Sequence, residues 1–264
     1  MEKTLDAKSI KKIGKEAGAD IVGICDVEKL READPAMDAE RFLCGARSIV
    51  IAVVADPPYI THVKDPFVYA RIAFPGYMKA DGASAAMRAA LEENGFFTAR
   101  VERESTHTLD RTRKVAKVLS IKKAAEAAGL GVIGANQLLI TPKFGPRVRM
   151  SAFITDAQLE AGKPLSESLC DDCGACYKNC PGGAFDSEGA YDMAACASYL
   201  FSGLKLSGLR ENFISAPFET IKENFGRIGD TAAGWLTSFS EGRRLYYNCG
   251  ECVRLCNGHL RARK

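Results

Sequence analysis

Nowhere does this chain stay apolar for the roughly 18 residues that a membrane-spanning helix needs, so no span is expected along it. Its opening, MEKTLDAKSIKKIGKEAGAD, has neither an apolar run of signal-peptide length nor a twin-arginine pair. The usual export signals are thereby excluded, and the cytosol is the expected compartment. A dominant charge is lacking too. With 36 Lys and Arg against 33 Asp and Glu, the formal net charge is only +3 and the signs are intermixed, so no broad basic face for nucleic acid is expected. The basic tip HLRARK reads as a solvated end. Histidine occurs three times, as His62, His107 and His259, too few and too scattered for a mononuclear metal site. Each reads as an ordinary surface or loop histidine.

Cysteine is what the chain has in excess. There are ten, and in a reducing compartment so many are not a disulfide framework; their crowding into the last third points to metal. The 264 residues are 47% hydrophobic, enough to fill a core. Leu5, Ile10, Ile13 and Ala17 share one helical face, and IVGIC (21–25) reads as a short buried strand. SIVIAVVA (48–55), stopped by Asp56-Pro57-Pro58, reads as a central strand, and ASAAMRAALEENG (83–95) as a helix ending at Gly95. FFTARVE is the next strand and SIKKAAEAAG (120–129) the next helix, while QLLIT and VRMSAFIT form strands around the turn PKFGP. The polar connector LEAGKPLSESL then marks a change of character, after which FETIKENFG and other helical pieces fall between cysteine groups within 197–248. The expected fold is an α/β (mixed α+β) domain over 1–158, followed by a ferredoxin-like module over 159–264.

CDDCGACYKNCP (170–181) follows C-x2-C-x2-C-x3-C-P, the bacterial ferredoxin pattern, whose fourth cysteine ligates the other cluster of a pair. Three thiolates at steps of three can wrap one cubane, and the fourth, after a longer step, faces away. Its partners are available, since NCGECVRLCN supplies Cys249, Cys252 and Cys256, and Cys196 stands alone in ACASYL. A crossed scheme assigns Cys170, Cys173, Cys176 and Cys256 to one 4Fe-4S cluster, and Cys180, Cys196, Cys249 and Cys252 to a second. Zinc would accept C-x2-C pairs, but a third thiolate so close has no role in a tetrahedral site. Asn257 stands where the pattern usually has proline after the last cysteine, which leaves the ligands intact. Cys25 and Cys44 read as buried small hydrophobes, with a redox-active pair as the alternative.

GLGVIG (129–134) matches the dinucleotide fingerprint G-x-G-x-x-G letter for letter. The order of elements is wrong for it, because here a helix precedes the glycines and a strand follows. The motif reads instead as a helix stop with a close turn, or as bare backbone that lets a large flat cofactor approach.

Several of these segments together resemble the cobalamin-dependent iron-sulfur reductases, the superfamily of epoxyqueuosine reductases and reductive dehalogenases. The carriers of the resemblance are AGADIVGIC, FLCGARSIVIAV, AAGLGVIGANQLLITPKFGPRVRMSAFITD, the lone cysteine in CASYL and the final CGECVRLC. The resemblance implies a corrinoid on the α/β domain, fed electrons by two clusters whose upstream donor is a reduced ferredoxin or flavodoxin. It implies that the turn with Gly131, Ala135, Asn136 and Gln137 lines the corrinoid; a flavin in the same place is the alternative. It also implies an acidic proton donor ahead of the AGLG helix, where this chain has Val115, with Asp110 the nearest substitute. Tyr69 or Tyr77, in YARIAFPGYMKA, could supply the tyrosine donor that dehalogenases resemble one another in using.

The first expectation is thus an enzyme that reduces a small organic substrate; the second is an electron-transfer or corrinoid-reactivating protein with no turnover of its own. With only eight residues after Cys256 and a modest charge, transfer RNA is not the expected substrate.

Overall fold

A computed structural model describes residues 5–101, 107–109, 115–117, 119–192, 195, 196, 199, 249–256 and 258. At its centre lies one four-stranded sheet. In chain order the elements are α1 (Ala7–Glu16), β1 (Ile21–Asp26), α2 (Val27–Ala33), β2 (Ser48–Ala55), α3 (Pro66–Glu93) and β3 (Thr98–Val101). A small hairpin, β4 (His107–Leu109) with β5 (Val115–Lys117), precedes α4 (Ile121–Ala127), a second hairpin of β6 (Val132–Ile133) and β7 (Leu139–Ile140), and β8 (Val148–Thr155). Two short 3-10 turns, Ala39–Arg41 and Pro58–His62, flank β2, and two single helical turns lie in the cysteine segments, α5 (Ala175–Lys178) and α6 (Glu251–Arg254).

The sheet runs β1-β2-β8-β3, and every pairing in it is antiparallel. β2 is its spine. Ile49, Ile51 and Val53 point to one face, where they meet Ile121, Ala124 and Ala125 of α4 together with Leu130 and Leu139. Val50 and Ala52 point to the other, against Ile10 of α1 and Ala83, Met87 and Leu91 of α3. Burying an aliphatic side chain stabilises by about 1.5 to 3 kcal/mol, and a strand apolar on both faces contributes this twice over. That is why SIVIAVVA shows no alternation. Caps fix where the helices begin: Asp6 accepts from the Ser9 amide at 2.8 Å and Asp26 from the Lys29 amide at 3.0 Å.

Two expectations change. The helix read from Ala83 begins at Pro66, so YARIAFPGYMKA is helical as well. Pro75 lies inside it and leaves the Arg71 carbonyl without its usual donor, but Tyr69, Ala73, Ala80, Met87 and Leu91 form a continuous buried stripe that holds the helix through this break. The α/β packing also runs past residue 158. Leu159 is core, its amide donates to Ser48 Oγ at 3.1 Å, and the Gly162 amide donates to the Ile24 carbonyl at 2.9 Å. Gly129 and Gly162 make this possible: a Cβ on Gly129 would lie 2.0 Å from the Lys163 carbonyl oxygen, and one on Gly162 2.1 Å from that of Ala128. Asp110, His259, Asn257 and the pieces within 200–248 lie outside the described residues.

Candidate metal centres

The first cysteine run is bent by two left-handed residues, Asp172 at φ 49° and Gly174 at φ 74°, before α5 begins. The bend turns Cys170, Cys173 and Cys176 toward one open cavity. Cys256, from the far end of the chain, lines the same cavity, whereas Cys180 does not. Ala135, Asn136 and Ile140 of the second hairpin form its opposite wall. Burial pushes the Cys256 thiol up to about 11, and Cys170, Cys176 and Cys173 add to the rise.

A second set gathers beside it. Burial pushes Cys252 up to about 12, and among its neighbours Cys249, Cys180, Cys176 and Cys196 raise it further. Cys249 is raised likewise by burial, and Cys180 and Cys196 contribute. Binding a metal at such thiols would release their protons. Each set carries an amide aimed at sulfur, from Gly258 to Cys256 Sγ and from Ala184 to Cys180 Sγ, both at 3.4 Å.

Among the described residues no group of three or more His, Cys, Asp or Glu is placed to hold a single metal ion. Cys170, Cys173, Cys176 and Cys256 all line one cavity, a set of four thiols of the kind an iron-sulfur cubane takes.

The second hairpin ties these thiols to the α/β domain. Asn136 Nδ2 donates to the Cys252 carbonyl at 3.2 Å, while its Oδ1 accepts from the Leu138 amide at 3.0 Å. Gln137 is left-handed, at φ 59°, and its carbonyl accepts from Lys122 Nζ at 2.5 Å. Gly131 packs within the hairpin, where a Cβ would meet the Ile140 carbonyl oxygen at 2.3 Å. Of the four residues expected to line a corrinoid, Ala135 and Asn136 therefore line the first thiol cavity, Gln137 meets Lys122, and Gly131 meets β7.

The tyrosines belong to another assembly. Arg149 of β8 is buried, lies 2.6 Å from Asp56, and donates to Tyr69 at 2.8 Å and to Tyr77 at 3.2 Å. Asp56 meets the guanidinium as a charge contact and not as an aligned hydrogen bond. Burial opposes the charge on Arg149, but Tyr77, Tyr69 and Asp56 outweigh it and hold its pKa above the usual. Arg147 reaches the same place, donating to the Asp56 carbonyl at 2.7 Å. Tyr69 is 1% exposed, and burial pushes its hydroxyl up to about 12; Tyr77 is half-buried. Sequence reasoning missed Arg149, although a cation inside the apolar run VRMSAFIT was the signal. It also missed Lys122, which KKAA presents like any helical lysine. Cys25 is buried as expected, but Cys44 is exposed, because Gly45 and Ala46 turn the chain there ahead of β2.

The model of the 4Fe-4S binding domain matches residues 164–186. The chain is 43% identical over 82 residues to epoxyqueuosine reductase of Listeria monocytogenes, which is 31% of this chain and 21% of that protein. With the enzyme of Staphylococcus aureus the identity is 26% over 206 residues, 69% of this chain and 53% of its relative. Among solved structures, epoxyqueuosine reductase from Streptococcus thermophilus superposes with a TM-score of 0.56 at 16% identity, covering 97% of this chain and 66% of that one. A reductive dehalogenase described in terms of B12-dependent dehalogenation gives 0.51 at 23% identity, covering 67% and 25%. The chain is thus similar in part of its sequence to epoxyqueuosine reductases, and in fold to epoxyqueuosine reductases and a reductive dehalogenase.

The likeness in fold to the Streptococcus thermophilus enzyme extends over nearly the whole chain. The chain spans about half or less of the length of the curated relatives it matches. An epoxyqueuosine reductase solved with a tRNA-Tyr stem loop has a TM-score of 0.50 at 20% identity, covering 73% of this chain and 56% of that one. No helix among the described residues is long and apolar enough to cross a membrane.

Proposed function

We propose that this protein is an iron-sulfur reductase in which two 4Fe-4S clusters deliver electrons to a corrinoid, and the corrinoid reduces an organic substrate. The observation that carries the reading is the meeting of Cys256 with Cys170, Cys173 and Cys176 around one cavity. A chain that closes two crossed clusters on itself gives electrons two stations in series. In this reading Cys170, Cys173, Cys176 and Cys256 hold the first cluster, and Cys180, Cys196, Cys249 and Cys252 the second. Clusters of this kind reach roughly −700 mV, low enough to serve a cobalt centre. When bound, the corrinoid supplies the bond-breaking chemistry; the protein orients it, shields it and supplies protons. Asn136 would hold the glycine turn against the cluster segment, keeping the α/β domain and the electron source in register. Tyr77, the half-buried phenol on Arg149, is the better placed of the two tyrosines to move a proton, since Tyr69 is sealed in packing.

The reading without substrate turnover, in which the clusters only reduce a corrinoid or a partner, is favoured by Val115 standing where the resemblance expects an acid. One experiment separates the two. Anaerobically purified protein with both clusters is titrated with cob(II)alamin and followed by visible and EPR spectra, then supplied with a low-potential donor and candidate substrates, a tRNA stem loop among them. Base-off cobalamin with substrate-dependent reoxidation supports the enzyme. Base-off cobalamin reduced without consumption of any substrate supports the carrier. No spectral change on adding cobalamin removes the corrinoid from both.

A further inference from the structure

The hairpin of β6 and β7 is held on one side and holds on the other. Lys122 and Glu126, four residues apart and so on one face of α4, fix it there: Lys122 Nζ donates to the Gln137 carbonyl at 2.5 Å, and Glu126 Oε1 accepts from the Ile133 amide at 2.6 Å. On its other side the hairpin follows the last cysteine segment. Asn136 donates to the Cys252 carbonyl at 3.2 Å, Leu138 packs against the small core that contains Val253, and a Cβ on Gly258 would meet Ile140 at 2.8 Å. Cys252 and Cys256 stand only four residues apart in this segment, yet the crossed scheme sends them to different clusters. Asn136 touches both sets. It is 4% exposed, it lines the cavity of Cys170, Cys173, Cys176 and Cys256, and it bonds the backbone of Cys252, which belongs to the other four. Its orientation is fixed within the turn, because its Oδ1 accepts from the Leu138 amide at 3.0 Å. Ala135 lines the same cavity, but its methyl can make no such bond.

A 4Fe-4S cluster gains one negative charge with each electron it accepts, so the charge of a neighbouring side chain moves its reduction potential, and moves it further where water is excluded. We propose that Asn136 is a positioning residue shared by the two clusters: its bond to the Cys252 carbonyl locks the wall of the first cluster onto the ligand loop of the second, so that this one uncharged side chain sets the surroundings of both. This rests on the two-cluster reading given above. No bond is made or broken at Asn136 when either cluster is reduced.

The test is an anaerobic EPR-monitored redox titration of the whole chain with both clusters in place and dithionite as the reductant. The two signals are assigned by their loss in Cys173→Ser and in Cys249→Ser. Asn136→Asp keeps the acceptor for the Leu138 amide and puts a carboxylate in place of the amide. It is expected to lower both midpoints, each by enough to change the reduced-to-oxidised ratio at fixed poise about tenfold, or about 59 mV for one electron. Ala135→Asp, one residue earlier on the wall of the first cavity, is expected to lower the midpoint of the signal lost in Cys173→Ser more than that of the other. A shift of one midpoint alone in Asn136→Asp, or of neither, overturns the proposal. So does an equal pair of shifts in Ala135→Asp, since the reach to both clusters would then not belong to Asn136. If Asn136→Asp sheds iron, Asn136→Ala decides in its place: movement of both midpoints supports the proposal, and movement of one or neither overturns it. An iron content of about four per chain in the unaltered protein would instead defeat the two-cluster reading, and this proposal with it.

Discussion

Tyr69 carries two loads. Its hydroxyl accepts from Arg149, and its ring fills the space that Gly250 leaves beside Cys249. With the hydroxyl pushed from an ordinary 10.0 up to about 12 by burial, the neutral phenol is favoured in the folded state. Its contribution is fully present below pH 10 and is lost as pH climbs through 12, a change of roughly 2 to 3 kcal/mol. Urea unfolding measured between pH 9 and pH 12 should show this loss in the unaltered protein and not in Tyr69→Phe. Arg149 is the more exacting position. Its side chain is 8% exposed and that of Asp56 0%, so Arg149→Met strands a carboxylate with no water to receive it. Breaking such a pair costs about 3 to 5 kcal/mol, which denaturant midpoints would register as a large drop. Asp56→Asn combined with Arg149→Met should recover part of it.

At the scale of the element, the α6 segment depends on Gly250. It sits at φ 63°, and a Cβ there would lie 2.5 Å from the Tyr69 ring. Gly250→Ala should displace the loop bearing Cys249 and Cys252, lowering iron from about eight toward about four per chain while leaving the sheet's circular dichroism unchanged. The elements most legible beforehand were β2 and β8, whose limits match SIVIAVVA and VRMSAFIT residue for residue. Both are long, β-branched and bounded by turn residues, so no competing pattern fits them. α3 was legible only in its second half. Pro75 and Gly76 read locally as a break, and what overrides them is tertiary: Gly76 lies so close to Asp56 and Arg149 that any side chain would meet them, at 3.2 and 3.0 Å. No local rule encodes a helix kept whole by the strand packed against it.

Across the whole molecule, the cysteine spacing suggests a crossing, and Cys256 lines the same cavity as the first run. Spacing could do this because three thiols at steps of three define a pocket by reach alone. It could not reveal the surroundings. Asn136, Lys122 and Arg149 act through contacts between different segments of the chain, which the spacing of the cysteines does not encode. The turn at 135–137 was singled out for a corrinoid, yet the contacts described for it are with the thiol segments. It therefore joins the thiol segments to the α/β domain. The most direct test of the central claim is EPR of the reduced protein in four serine variants. Cys256→Ser should abolish or alter the same signal as Cys173→Ser, and Cys180→Ser the same signal as Cys249→Ser. If Cys180→Ser instead shares its loss with Cys173→Ser, each run closes its own cluster and the crossed arrangement is wrong.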